Sequence, residues 1–135
     1  MELPEIEISA GTYIGAALCV LLLPMNWLLG WLVAVSVHEG GHIIALKLCR
    51  LPIRGIRIGL WGAEISVPVM SPGQELICAA AGPVFSFMLL FAAGWIPVAP
   101  LIGMVQGLFN LLPIYPLDGG RMLRSVRMMI KERLV

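Results

Sequence analysis

The 135 residues are 59% hydrophobic and only 13% charged, with a mean hydropathy of +0.94. A soluble domain carries about 25% charged residues, and a chain this short cannot hide so much apolar surface from water. The composition excludes a disordered chain, a nucleic-acid-binding arm and an ordinary soluble domain, and it points to lipid as the solvent.

The acidic start (Glu2, Glu5, Glu7) is unlike a cleavable signal peptide, and residues 1–9 read as a short polar lead. No charge occurs from Gly11 to Val37, but Pro24 and Asn26 interrupt that run. The pattern predicts a short apolar helix over 11–23, a turn at Pro24–Asn26, and a second helix from Trp27 to about Cys49. Residues 50–75 change character: Arg50, Arg54 and Arg57 arrive, and β-branched residues alternate. A β-hairpin over 53–60 and 63–69 is expected, with Gly59 and Gly62 near its turn and Pro68 marking the second strand as an edge. Ser71 is the expected cap of the next helix, whose uncharged stretch 76–96 is long enough to cross a bilayer. Pro97 and Pro100 mark a turn, and 101–112 is again apolar. Pro113–Gly120 is too rich in proline and glycine for regular helix, and 121–135 reads as a basic amphipathic helix.

The expected fold is mainly α: a single polytopic membrane domain, 1–135, with about four hydrophobic segments and a small β-hairpin. Four segments place the N-terminus, the hairpin and the tail on one side. All nine Lys and Arg residues fall there or at its edge, so that side is expected to be cytoplasmic. Cys19, Cys49 and Cys78 are too widely spaced for a disulfide framework or a CxxC pair, and read as small buried hydrophobes.

His38-Glu39-Gly40-Gly41-His42 carries the first chemical signal. Histidines four apart share one helix face and reach one metal ion, and Glu39 stands where it can take a proton from metal-bound water. The rival reading is a hydrated helix end. Gly40 and Gly41 suit either a close substrate or tight helix packing. Two histidines leave a hydrolytic metal site one ligand short. Asp118, in Asn110-Leu-Leu-Pro-Ile-Tyr-Pro-Leu-Asp-Gly-Gly120, is the candidate third ligand, although alone it would read as the cap of the tail helix. Asn110 is a candidate oxyanion donor or substrate holder, or else a polar group satisfied between helices. Gly82-Pro83 reads as close packing and a kink, and neither Gly82 nor Ser86 looks chemical by itself.

Taken together, His38–His42, Gly82-Pro-Val-Phe-Ser86 and Asn110–Gly120 resemble, in order and spacing, the site-2 protease family of intramembrane zinc metalloproteases. The nearest likeness is to the sporulation stage IV FB-like subgroup. Gly40 stands where the family usually has a larger apolar residue. The resemblance implies Zn2+ bound by His38, His42 and Asp118, with Glu39 activating a zinc-bound water. It also implies an integral multi-pass protein in the lipid bilayer, a site open to the cytoplasm, and regulated intramembrane proteolysis of a membrane-anchored protein substrate. An edge strand in the family is thought to pair with the unwound substrate, and the hairpin is the candidate here. The rival functions are a catalytically silent membrane scaffold that keeps the zinc-site fold, and a metal transporter. The spans supply almost no ionisable residues for a transport path. Self-association or a regulatory membrane partner stays open.

Overall fold

The structure is a computed structural model and describes residues 5–59, 62–95 and 97–134. In chain order the elements are β1 (Glu5–Ile8), α1 (Ala10–Leu22), α2 (Met25–Leu48), β2 (Gly55–Gly59), β3 (Gly62–Ser66) and α3 (Pro72–Met88), which runs on as a 3-10 turn over Leu89–Ala92. Two further helices follow, α4 (Val98–Asn110) and α5 (Asp118–Arg133).

Helix ends follow local chemistry. The Ser9 side chain accepts from the Thr12 N–H at the start of α1, and the Thr12 hydroxyl donates to the Ile58 carbonyl at 2.9 Å, tying that helix to β2. Pro24 lacks the N–H that would continue the helix, and α2 begins at the next residue. At the other end of α2, Arg50 takes a left-handed φ of 54°, and the N–H groups of Arg50 and Leu51 close back on the carbonyls of Lys47 and Leu46. Ser71 caps α3, with Gln74 completing a reciprocal capping box.

The expected hairpin is present as β2 and β3, in antiparallel register from Gly55 opposite Ser66 to Gly59 opposite Gly62. The turn residues Leu60 and Trp61 lie outside the described residues. Pro68 lies beyond the end of β3, which is an edge strand. The reading of residues 1–9 as a polar lead is corrected. Glu5–Ile8 pairs parallel to β2, making a three-stranded sheet in the order β1-β2-β3. Glu5-Ile6-Glu7-Ile8 alternates with the period of a strand, but a parallel partner about fifty residues on is invisible to local pattern.

The helix α2 packs on α3 and α4, and α3 also packs on α4 and α5. Ala45, Leu46 and Cys78 form a small core under the sheet, with Cys49, Leu51, Ile53, Ile65 and Val67 around it. Of the three cysteines only Cys78 is fully buried, so the expectation of three buried hydrophobes holds for that one alone. Among the described residues four apolar helices occur where four segments were expected, and two of them, Met25–Leu48 and Pro72–Ala92, have the length and composition to cross a membrane. Both α1 and α4 have 13 residues, about 20 Å of helix against a hydrocarbon core of about 30 Å. No residue of α1 is buried, and Leu21 and Leu22 are 79% and 75% exposed.

Candidate metal centre

His38 and His42 sit one turn apart on α2 and are both buried. Asp118 is the first residue of α5, 5% exposed, and turns inward toward them. Its Oδ2 lies 3.2 Å from His38 Nε2 and 3.3 Å from His42 Nε2, and the two Nε2 atoms are 3.3 Å apart. Pro113–Gly120 is therefore not irregular throughout: Asp118, Gly119 and Gly120 already form the first turn of α5. A Cβ on Gly120 would lie 2.6 Å from the Ile114 carbonyl oxygen, so this glycine lets the helix start flush against the preceding loop.

The outer faces of both imidazoles are fixed. His42 Nδ1 is 2.8 Å from the Cys78 carbonyl, which can only accept, so Nδ1 carries the proton and Nε2 presents a lone pair. His38 Nδ1 is 2.8 Å from the buried Ser86 hydroxyl. Both anchors lie on α3, as does Gly82, whose missing side chain leaves room for the rings: a Cβ there would lie 2.8 Å from His38 Nε2 and closer still to His42 Nε2. Gly82 and Ser86, which look unchemical by sequence, thus both serve the histidines. The signal in sequence is their spacing of four, which puts them on one helix face.

The donor set fits a metal ion. Two imidazole nitrogens and a carboxylate oxygen converge within 4.8 Å, and all three residues are buried. Among the described residues Asp118 Oδ2 is a buried oxygen with no hydrogen-bond partner. Lone pairs crowded this closely repel unless positive charge lies between them, and an N,N,O set with ordered outer contacts suits zinc. An aspartate carboxyl ordinarily titrates far below neutral pH. The carboxylate is therefore anionic and ready as a ligand.

The triad opens into a cleft of about 640 Å³ that is also lined by Glu39, Ala63, Ile65 and Asn110. Glu39 is half-buried, and its Oε1 accepts from the backbone N–H of Ala63 at 3.4 Å. That N–H therefore points away from β2. By the alternation of an antiparallel ladder, the backbone groups of Ile65 do so as well. The free edge of β3 thus faces the cleft. Asn110 Nδ2 donates to the Gln106 carbonyl at 3.1 Å, so its amide is partly engaged within its own helix.

The chain is similar in sequence and fold to known proteins. The model of peptidase family M50 matches residues 93–135, the segment that holds Asp118. A protein of Synechocystis that carries the name of a zinc metalloprotease is 32% identical over 74% of this chain and 32% of its own length. A zinc metalloprotease of Methanocaldococcus jannaschii is 30% identical over 70% of this chain and 32% of its own length. The chain therefore spans about a third of the length of the curated relatives it matches. The solved structure of a site-2 protease from Methanocaldococcus jannaschii superposes with a TM-score of 0.69, covering 93% of this chain and 69% of that one at 23% identity.

Proposed function

We propose that the chain belongs to peptidase family M50, the site-2 protease family, and is the core of an intramembrane zinc metalloendopeptidase. Its substrate is a membrane-anchored protein, cleaved in regulated intramembrane proteolysis. The observation that carries this reading is the convergence of His38 Nε2, His42 Nε2 and Asp118 Oδ2 at a cleft shared with Glu39 and a free strand edge.

A zinc ion held by His38, His42 and Asp118 would supply a Lewis acid that polarises the scissile carbonyl and lowers the pKa of water. The rest falls to the chain's own groups. Glu39 takes the proton of the attacking water and passes it to the leaving amine. The edge of β3 binds the substrate as an added strand through the outward backbone groups of Ala63 and Ile65. Such pairing suits a substrate helix that must unwind before its carbonyls can be attacked. Asn110, at the cleft wall, holds the substrate strand or the developing oxyanion.

The membrane reading rests on the apolar, outward-facing helices. Four hydrophobic segments, with α1 and α4 tilted or met by a thinned bilayer, put the sheet and α5 on the basic side. The cleft then opens toward the cytoplasm. The short α1 and the strand pair after α2 also support the sporulation stage IV FB-like subgroup. Self-association or a regulatory membrane partner is compatible with so small a domain.

The test compares detergent-purified wild type, Glu39→Gln and His38→Ala for zinc per chain and for cleavage of a panel of co-expressed single-span proteins. Zinc near one per chain in wild type and Glu39→Gln, its loss in His38→Ala, and cleavage by wild type alone are expected. Zinc with no cleavage of any panel member would favour a silent scaffold, and no zinc in wild type would overturn the metal centre.

A further inference from the structure

Asp118 offers only one of its two oxygens to the histidines. While Oδ2 faces both Nε2 atoms, Oδ1 lies 3.7 Å from Nη1 of Arg121, one turn further along α5. The other edge of the same guanidinium reaches back to α3, where Nε lies 3.9 Å from Glu75 Oε1 in that helix's first turn. This small charge network is sheltered: the side chains of Asp118, Glu75 and Arg121 are 7%, 14% and 29% exposed. It spans two of the three helices that build the centre: α2 carries the histidines, α3 holds their outer nitrogens and α5 supplies the carboxylate.

A guanidinium beside a dication's ligand set is repelled by that ion unless its charge is offset. Glu75 provides the offset, and the rigid planar fork of arginine lets one side chain face two carboxylates along separate edges, here at ion-pair rather than hydrogen-bond distance. A lysine ammonium is a point charge on a flexible stem and lacks that fork. Carboxylate ligands depend on outer partners of this kind for their orientation.

We propose that Arg121 is the positioning residue of the metal centre: anchored by Glu75, it holds Asp118 Oδ1 so that Oδ2 alone faces the ion. The inference rests on the zinc reading above. It makes Asp118 a single-oxygen ligand and gives Arg121 and Glu75 a role that neither the histidine motif nor the Asp118 motif requires.

The experiment uses detergent-purified full chain as wild type, Arg121→Gln, Arg121→Lys and Glu75→Gln. Zinc affinity is read by competition with a chromophoric chelator, ligand geometry by the visible spectrum of the Co2+-loaded protein, and apo-protein stability by its thermal midpoint. Arg121→Gln is expected to weaken zinc about 10- to 100-fold and to shift the Co2+ spectrum as the freed carboxylate turns both oxygens to the ion, with the apo midpoint unchanged. Arg121→Lys and Glu75→Gln fall between it and wild type. Affinity and spectrum in Arg121→Gln equal to wild type would overturn the proposal, as would a loss of affinity that simply tracks a fall in the apo midpoint. If Arg121→Gln is not recovered folded, Arg121→Lys carries the test, and a wild-type affinity and spectrum there overturn it. Wild type that binds no zinc would instead sink the metal centre itself.

Discussion

Gly82 on α3 stands against His38 on α2 so closely that a Cβ on the glycine would lie 2.8 Å from the imidazole Nε2, the atom aimed at the metal position. Real Cβ atoms essentially never approach so near, and the ring cannot yield without breaking its contact to Ser86. Gly82→Ala is therefore expected to lose zinc. Gly40→Ala, where a Cβ meets nothing within 4 Å, is expected to keep it. Zinc per chain in the two purified variants decides the matter, and full occupancy in Gly82→Ala would contradict the packing described.

Ser86→Ala removes the hydroxyl that fixes His38 Nδ1 without adding bulk. Outer partners of metal-bound histidines typically contribute about 10- to 100-fold in metal affinity. A loss in that range is expected from chelator competition, with the fold retained by circular dichroism.

Acid should strip the metal. Binding needs neutral imidazoles, and an ordinary carboxyl titrates well below an imidazole, so the histidines are the first ligands to protonate as pH falls. Zinc affinity is present above the imidazole range and declines through it, with release expected to be complete by about pH 4. Metal content after dialysis across a pH series measures this, and zinc kept undiminished at the acid end would speak against histidine ligation.

Ala63→Pro deletes an outward backbone donor on the edge of β3 while leaving all three metal-binding side chains in place. Zinc is expected to stay near one per chain, and cleavage of the single-span panel to fall at least about tenfold, as docking is lost. Unchanged cleavage would remove strand addition from the mechanism.

Ser71→Ala removes the hydroxyl that accepts from the Gln74 N–H at the start of α3, and leaves the reciprocal bond from the backbone N–H at 71 to Gln74 Oε1. A cost of about 1 kcal/mol is expected, read as a lowered thermal midpoint with zinc stoichiometry unchanged.

Much of this was legible in the chain itself. Pro24, the Ser71 cap and the charge-free runs mark the helices, because each acts within a few residues. His38, His42 and Asp118 declare themselves because charged and ligating groups are rare in so apolar a sequence. The pairing of Glu5–Ile8 with β2 did not show, since its partner lies about fifty residues on. Gly82 and Ser86 reveal their purpose only once α3 is laid against α2, for a glycine signals space without saying for what. Four apolar helices stand where four segments were expected, but hydropathy does not give their length: Pro24 and the loop before α5 limit two of them to 13 residues.

The hydrogen bond from Ala63 to Glu39 also has a bearing on timing. A strand added to β3 must take the Ala63 N–H for itself, because that is the edge donor it would pair with. Docking then unlatches the carboxylate from its parking place on the sheet. On the proposed mechanism, the arrival of a substrate strand would free that one oxygen of the proposed base. Such an interlock would restrain idle hydrolysis with no separate lid, using one backbone proton as the latch.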